Sequence, residues 1–310
     1  MDLRQLGYFV AVVDSGSFSR AAVALNLAQP TLSRQIGLLE ADLGQRLLVR
    51  TGRGAAPTEA GSALLVHARS MLDSAQRARA EVRDLSLSPG GRLTIGLPPR
   101  VALGVGAVLV QRFRERFPRA VITVSEGLSL QLREWLIAGR LDLALLFDPA
   151  ASPQLACKTL LRESLRLVAP AGAPKLPARV GLPALAAYPM VLPSAPNAIR
   201  SLLDAALRSR GITLQVVAEV GAVQTVLALV AKGMACTVLP ESAVPQDAAL
   251  QSAAIGPPAI RNKLVLATPL ARPATRLTRD TTALVEALDF RSLGAAMTSA
   301  ALTASGTRSA

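Results

Sequence analysis

Histidine, cysteine and aromatic residues are scarce in this chain, and each shortage closes off a class of chemistry. One histidine, His67, and two cysteines, Cys157 and Cys236, stand among 310 residues. A His-centred catalytic triad needs a histidine beside a nucleophile, and a zinc cluster needs several Cys or His ligands close together. Neither can be assembled from this inventory, so no enzyme activity, no metal and no other cofactor is expected. No G-x-x-x-x-G-K phosphate loop occurs, and Gly104-Val105-Gly106 fails as a dinucleotide loop because Leu109 stands where a third glycine belongs. Long apolar runs are missing too. The nearest approach, Val216 to Ala231, contains Glu219 and Gln224, so no membrane span is expected. The start, Met1-Asp2-Leu3-Arg4, lacks a basic stretch followed by an apolar one, so no export signal is expected and a reducing cytoplasm is the expected compartment. There the two distant cysteines read as buried small hydrophobes, not as a redox pair.

What is present is strongest between Ala21 and Leu43. Ala21, Ala22 and Leu25 share one face of a short helix, Asn26 tolerates the left-handed backbone that ends it, and Pro30 opens a second helix. In that second helix Leu32, Ile36, Leu39 and Leu43 form one stripe at steps of four, three and four. Gln29, Thr31, Ser33, Arg34 and Gly37 are left facing away. Small hydroxyl and amide groups with one arginine, at the front of an exposed helix, suit hydrogen bonds to base edges and phosphates. A helix-turn-helix that reads DNA is the expectation. Leu3 to Ser15 reads as a preceding helix whose Leu6, Phe9, Val10 and Val13 close a small core. Arg46 to Arg50, the turn Thr51-Gly52-Arg53-Gly54 and the return Ala55 to Pro57 read as a two-stranded wing, with Arg50 and Arg53 available to phosphate or the minor groove.

These segments resemble the N-terminal domain of LysR-type transcriptional regulators almost continuously from Leu3 to Gly61. The resemblance rests on Tyr8 to Val12, Gly16-Ser17-Phe18-Ser19, Ala21-Ala22, Leu25, Gln29 to Ser33, Ile36, Leu39-Glu40, Leu43-Gly44 and Leu47 to Arg50. Leu48 departs from it, standing where many relatives carry phenylalanine, an apolar exchange at a packing position. The resemblance implies that Ser19, Gln29, Pro30, Thr31, Ser33, Arg34, Arg50 and Arg53 meet DNA. Thr51 to Gly54, Glu126 to Ser129 and Gly139 to Pro149 look most like the nitrogen-assimilation-control branch of that family.

Thr58 reads as the N-cap of a helix running to about Leu87. Within it Leu64, Ala68, Met71, Ala75, Ala78, Val82 and Leu85 alternate steps of four and three, the 3.5-residue repeat of a coiled-coil seam. With nothing else in sequence to bury this stripe, it reads as a dimerisation element. A dimer would set two reading helices on successive major grooves roughly 34 Å apart, so the expected target is an interrupted inverted repeat. Ser88-Pro89-Gly90-Gly91 reads as a hinge. Beyond it strand and helix signals alternate as α/β with a mostly parallel sheet: strands at 92–97, 120–125, 141–147, 165–169, 190–192, 214–218, 235–239 and 262–268, and helices at 103–117, 129–138, 182–187, 198–210, 222–232 and 276–288.

The expected domains are a winged helix-turn-helix at 1–58, a linker and dimerisation helix at 59–89, a regulatory domain at 90–293 and a disordered tail at 294–310. The resemblance implies that the regulatory domain has two lobes joined by crossover strands, like a periplasmic binding protein, lobe I at about 90–160 and 268–293 and lobe II at about 161–267. The net charge of +13 does not mark the DNA-reading part. Residues 1–60 carry six arginines and five acids, and residues 61–90 four arginines and three acids, so +11 belongs to residues 91–310.

Ligands of open α/β lobes gather where strands end and helices begin. By resemblance Pro99, Arg100, Val101, Ser129, Phe147, Asn197, Val220 and Thr268 line a cleft between the lobes. Many relatives carry a small hydroxyl residue where Arg100 stands. That arginine would either clamp an anion or fill the cleft itself, and a small anionic effector such as a carboxylate is the expectation. Expected partners are double-stranded promoter DNA, a second copy of the chain in a dimer or tetramer, the effector and RNA polymerase, with no membrane. The alternatives are an effector-independent regulator, or a solute-binding protein, which would leave residues 1–87 without a purpose.

Overall fold

The computed structural model describes residues 1–51, 54–84, 91–245 and 248–291. Arg53 of the wing, Leu85 of the seam, the hinge at 88–90 and the tail at 294–310 therefore lie outside the described residues, as do the side chains of Arg50 and Val82. The chain forms two compact units, one holding Met1–Gly91 and the other Arg92–Ile137 with Leu141 onward.

In the first unit α1 (Leu3–Ser15) starts from a reciprocal cap: Asp2 Oδ1 accepts the Gln5 N–H and Gln5 Oε1 accepts the Asp2 N–H. It buries Leu6, Phe9 and Val12, with Val10 and Val13 only half-buried, so the inward face lies one residue earlier than the sequence suggested at its end. α2 (Phe18–Ala24) closes at Asn26, whose φ of 52° is the left-handed conformation expected there. α3 (Gln29–Leu43), with Pro30 in its first turn, buries Leu32, Ile36 and Leu39. Leu43, expected in that stripe, is 37% exposed because Gly44 ends the helix and the chain turns away.

The wing is β1 (Leu48–Thr51) against β2 (Gly54–Pro57), antiparallel from Leu48↔Pro57 to Thr51↔Gly54. α4 (Glu59–Asp84) follows, its first turn capped by Thr58, whose Oγ1 accepts the Gly61 N–H at 2.9 Å while the hydroxyl donates to the Arg46 carbonyl. The seam of α4 is divided. Ala68 is fully buried and Leu64, Leu65 and Leu72 half-buried against the core built with α1, whereas Met71 and Ala78 are exposed. A stripe expected to face only a second chain is thus partly committed to α1.

The second unit has two lobes. The first holds β3 (Gly91–Leu97), α5 (Pro99–Arg116), β4 (Ala120–Glu126), α6 (Ser129–Ile137) and β5 (Leu143–Phe147), the last buried at every residue as its unbroken apolar run requires. β6 (Leu155–Pro170) then crosses to the second lobe. There follow β7 (Arg179–Val180), a 3₁₀ turn at Pro183–Ala187 where a helix was expected, β8 (Pro189–Pro193), α7 (Ala198–Arg208), β9 (Gln215–Val220), α8 (Val223–Ala231), β10 (Thr237–Pro240), a 3₁₀ turn at Glu241–Ala243 and β11 (Leu250–Ile255). β12 (Arg261–Pro269) returns to the first lobe, where α9 (Arg276–Glu286) closes it.

The large sheet runs β4-β3-β5-β12-β6-β11-β7, with β10 also on β6, and β8 pairs with β9 separately. It is mixed, not mostly parallel: β3 lies parallel to β5 and β8 to β9, but β12 is antiparallel to both β5 and β6, and β10 and β11 are antiparallel to β6. The crossing strands supply the antiparallel share. Leu264 and Leu266 belong to the first lobe's core with Leu97, Leu109, Phe113 and Leu145, and Leu165 to the second's with Met190, Leu203 and Val238. By the cores they join, the chain changes lobe near Ser164 and again near Arg261. Cys236 is buried as expected, but Cys157 on the outer part of β6 is exposed.

Candidate nucleic-acid interface and ligand cleft

The reading face of α3 follows from the stripe it buries. With Leu32, Ile36 and Leu39 inward, Gln29, Pro30, Thr31 and Arg34 are exposed and Ser33 is half-buried. The exposed Ser19 hydroxyl donates to Gln29 Oε1 at 3.1 Å, tying the start of α2 to the start of α3. Among the described residues no acid pairs with Arg34, so its guanidinium is available to an external phosphate or base. Arg50 lies on β1 opposite Ala55. Two close approaches fix the wing to this head. A Cβ on Gly54 would fall 2.1 Å from the Gly16 carbonyl oxygen, which accepts the Ala55 N–H, and a Cβ on Gly61 would fall 2.0 Å from the Leu47 carbonyl oxygen. Glu40 of α3 completes the joint: its Oε1 accepts the N–H groups of Leu47 at 2.8 Å and Leu48 at 3.1 Å.

In the second unit a cavity of about 150 Å³ opens where four helices begin. α5 contributes Pro98, Pro99 and Arg100; α6 contributes Leu128 and Ser129; α7 contributes Asn197 to Ile199; α8 contributes Gly221 to Gln224; Phe147 ends β5 beside them. Two of these helices come from each lobe. Helix N-termini carry N–H groups without intrahelical partners and the positive end of the dipole, so their convergence makes a place for hydrogen-bond acceptors. Several expected side chains are already engaged. Ser129 Oγ accepts the Phe147 N–H at 2.8 Å, and Asn197 Oδ1 caps α7 by accepting the Ile199 N–H at 2.9 Å.

Five of the eight expected cleft residues, Pro99, Arg100, Ser129, Phe147 and Asn197, line this cavity. Val101 instead points into the first lobe's core, fully buried, because α5 begins at Pro99 and not four residues later. Val220 ends β9, and Thr268 lies on the crossing ladder opposite Ala156. Sequence reasoning did not single out Ile199, Val223 or Gln224. The signal for Gln224 was its place in the first turn of the helix that Gly221 precedes.

Arg100 is where the expectation of an anion clamp changes. Its Nη2 lies 3.2 Å from Glu163 Oε1, its Nη1 donates to Ser242 Oγ at 2.6 Å, and its guanidinium carbon stands 4.4 Å from the centre of the Phe147 ring. Both charged side chains are buried, 6% and 5% exposed. Burial pushes the arginine's pKa down and Glu163 opposes that shift. The arginine fills part of the cleft and brings a counter-ion with it.

Comparison with known families decides the class. The profile described as "Bacterial regulatory helix-turn-helix protein, lysR family" matches residues 3–62, and "LysR substrate binding domain" matches residues 87–289. The chain belongs to the LysR family. It is a DNA-binding transcriptional regulator of the LysR type. Over 244 residues this LysR-family regulator is 37% identical to the nitrogen assimilation regulatory protein nac of Klebsiella aerogenes, covering 78% of this chain and 79% of that protein. A full-length OxyR variant from Pseudomonas aeruginosa shares its fold, with a TM-score of 0.72 and 23% identity over 92% of this chain and 95% of that one. So does CbnR, a structure in complex with its target DNA, with a TM-score of 0.64 and 23% identity over 91% and 98% of the two chains. Among the described residues no helix is long and apolar enough to cross a membrane.

Proposed function

We propose that this LysR-family regulator binds promoter DNA as a dimer, reads it with the front of α3, and changes its grip when a small molecule occupies the cleft between the regulatory lobes. The observation that carries the reading is the convergence of two helix starts from each lobe on one cavity. A ligand touching both lobes has a different affinity for each relative setting of them, and only such a ligand can shift the equilibrium between settings. The protein then acts by binding and not by turnover, on bacterial promoters in the cytoplasm, with RNA polymerase as the machinery it admits or blocks.

Base discrimination rests on Gln29, Thr31, Ser33 and Arg34, with Ser19, Pro30, Arg50 and Arg53 positioning the head on phosphates. Dimerisation uses the part of α4 that α1 leaves open: Met71 and Ala78 lie seven residues apart on one column and are exposed. CbnR has been seen on its target DNA, and the same docking is proposed here. The test is competition binding of the full-length protein to promoter fragments carrying interrupted inverted repeats and to scrambled fragments. Wild type is expected to prefer the matched site, and Arg34→Ala to lose about 1–3 kcal/mol of that preference while keeping most of its non-specific affinity. An unchanged matched-to-scrambled ratio in Arg34→Ala would remove α3 from the reading role.

A further inference from the structure

The cleft contains one charged lining residue, and a carboxylate from the chain already occupies it. Glu163 reaches Arg100 from the crossing strand β6 with one oxygen, and with the other accepts the Ser242 N–H at 2.8 Å. One oxygen on a guanidinium and one on a backbone amide is how a bound carboxylate ligand is held. Here the carboxylate is covalently part of the protein. A second anion has little access to Arg100: Nη1 donates to Ser242 Oγ and Nη2 to Glu163 Oε1, its face is covered by Phe147, and only 6% of the side chain is exposed. The start of α5 adds little beyond the Arg100 N–H. Pro98 and Pro99 have no N–H, and the N–H groups of Val101 and Ala102 both go to the Pro98 carbonyl.

We propose that Glu163 is the resident ligand of Arg100, and that the cleft of this regulator therefore takes an uncharged, largely apolar effector and rejects carboxylates. This rests on reading the cavity as the effector site. An incoming carboxylate would meet a neutral pair, or would have to displace Glu163 and leave it buried without its counter-ion. Asp148, on the turn after β5, adds a further acid near Glu163: its carboxylate accepts the Lys263 N–H, and burial together with the Glu163 charge holds its pKa up. The lining left over is largely apolar, from Leu128, Phe147, Ile199 and Val223, with the amides of Gln224 and Asn197 and the Ser129 hydroxyl as its uncharged hydrogen-bonding groups. That is the surface of a site for a small neutral molecule with one or two polar atoms.

The experiment removes the resident carboxylate. Full-length wild type, Glu163→Ala and Glu163→Ala/Arg100→Ala are titrated with acetate and benzoate against chloride at equal ionic strength. Thermal midpoint, binding heat and affinity for promoter DNA are read for each. Wild type is expected to show no saturable carboxylate effect. Glu163→Ala should have a lowered midpoint that acetate or benzoate restores saturably, binding at least about tenfold tighter than to wild type, and the double variant should lose the restoration. If Glu163→Ala does not fold, Glu163→Ser, which also vacates the carboxylate's place beside Arg100 and Ser242, carries the same titration. Saturable carboxylate binding by wild type that matches the variant's, or no gain in either variant, overturns the proposal. Restoration of the midpoint with DNA affinity unchanged upholds Glu163 as resident ligand and instead overturns control of DNA binding through the cleft.

Discussion

Gly61 faces a carbonyl oxygen that leaves no room for a methyl group, and the whole DNA-reading head is assembled across that gap. An added Cβ would stand 2.0 Å from the Leu47 oxygen, which also accepts the Thr58 N–H. Gly61→Ala is therefore expected to separate α4 from the strand below it and to lower stability by about 2 kcal/mol or more, measured by denaturant unfolding. Arg34→Ala, on an exposed side chain, should leave the same unfolding curve within about 0.5 kcal/mol. At this scale the sequence was legible where neighbours in space are neighbours on one helix. Leu32, Ile36 and Leu39 could be read from spacing alone, and Asn26 from its tolerance of positive φ. Arg100 could not be. Its partners, Glu163 and Ser242, lie 63 and 142 residues away, and no local pattern connects them.

α4 shows the same lesson for elements. A repeat of 3.5 residues announces a buried stripe but does not name what buries it. Ala68 goes to the core that Leu6, Phe9 and Val12 of α1 build. Met71 and Ala78 are left for a second chain. Met71→Glu should accordingly weaken self-association by about 1–3 kcal/mol in sedimentation equilibrium while leaving the monomer's unfolding little changed. The strands tell a complementary story. β5 could be read at once because both of its faces are buried and its run is unbroken. The first half of β6 could not, because Lys158, Arg162 and Glu163 interrupt the apolar residues of a strand that is mostly exposed before Leu165. β7 and β11 were hidden for a similar reason, being short, partly polar or both. Reading β6 only from Leu165 onward hides its pairing with β12 and leaves the expectation of a mostly parallel sheet, since alternating strands and helices suggest βαβ units.

For the molecule as a whole, basicity turned out to be a poor guide to where the nucleic acid goes. Most of the +13 lies in the regulatory unit, and it is the excess that remains after pairs such as Arg100–Glu163, Arg166–Glu241 and Arg200–Glu219 have cancelled. The proposed control resides in how the two lobes are set. Ala222→Trp, which fills the cleft from the start of α8, is expected to abolish the response of promoter affinity to any cleft ligand while leaving discrimination between matched and scrambled sites intact. Loss of discrimination in that variant would show that the cleft and the reading head cannot be separated. The chain passes between the lobes twice, on β6 and on the start of β12, and the two passes are hydrogen-bonded side by side at the crossing, where Arg261 faces Ser164 and the Leu165 N–H donates to the Ile260 carbonyl. A bonded ribbon of two strands resists stretching and shearing but yields to winding about its own length. It is a torsion bar, and what a bound molecule can transmit through it is an angle.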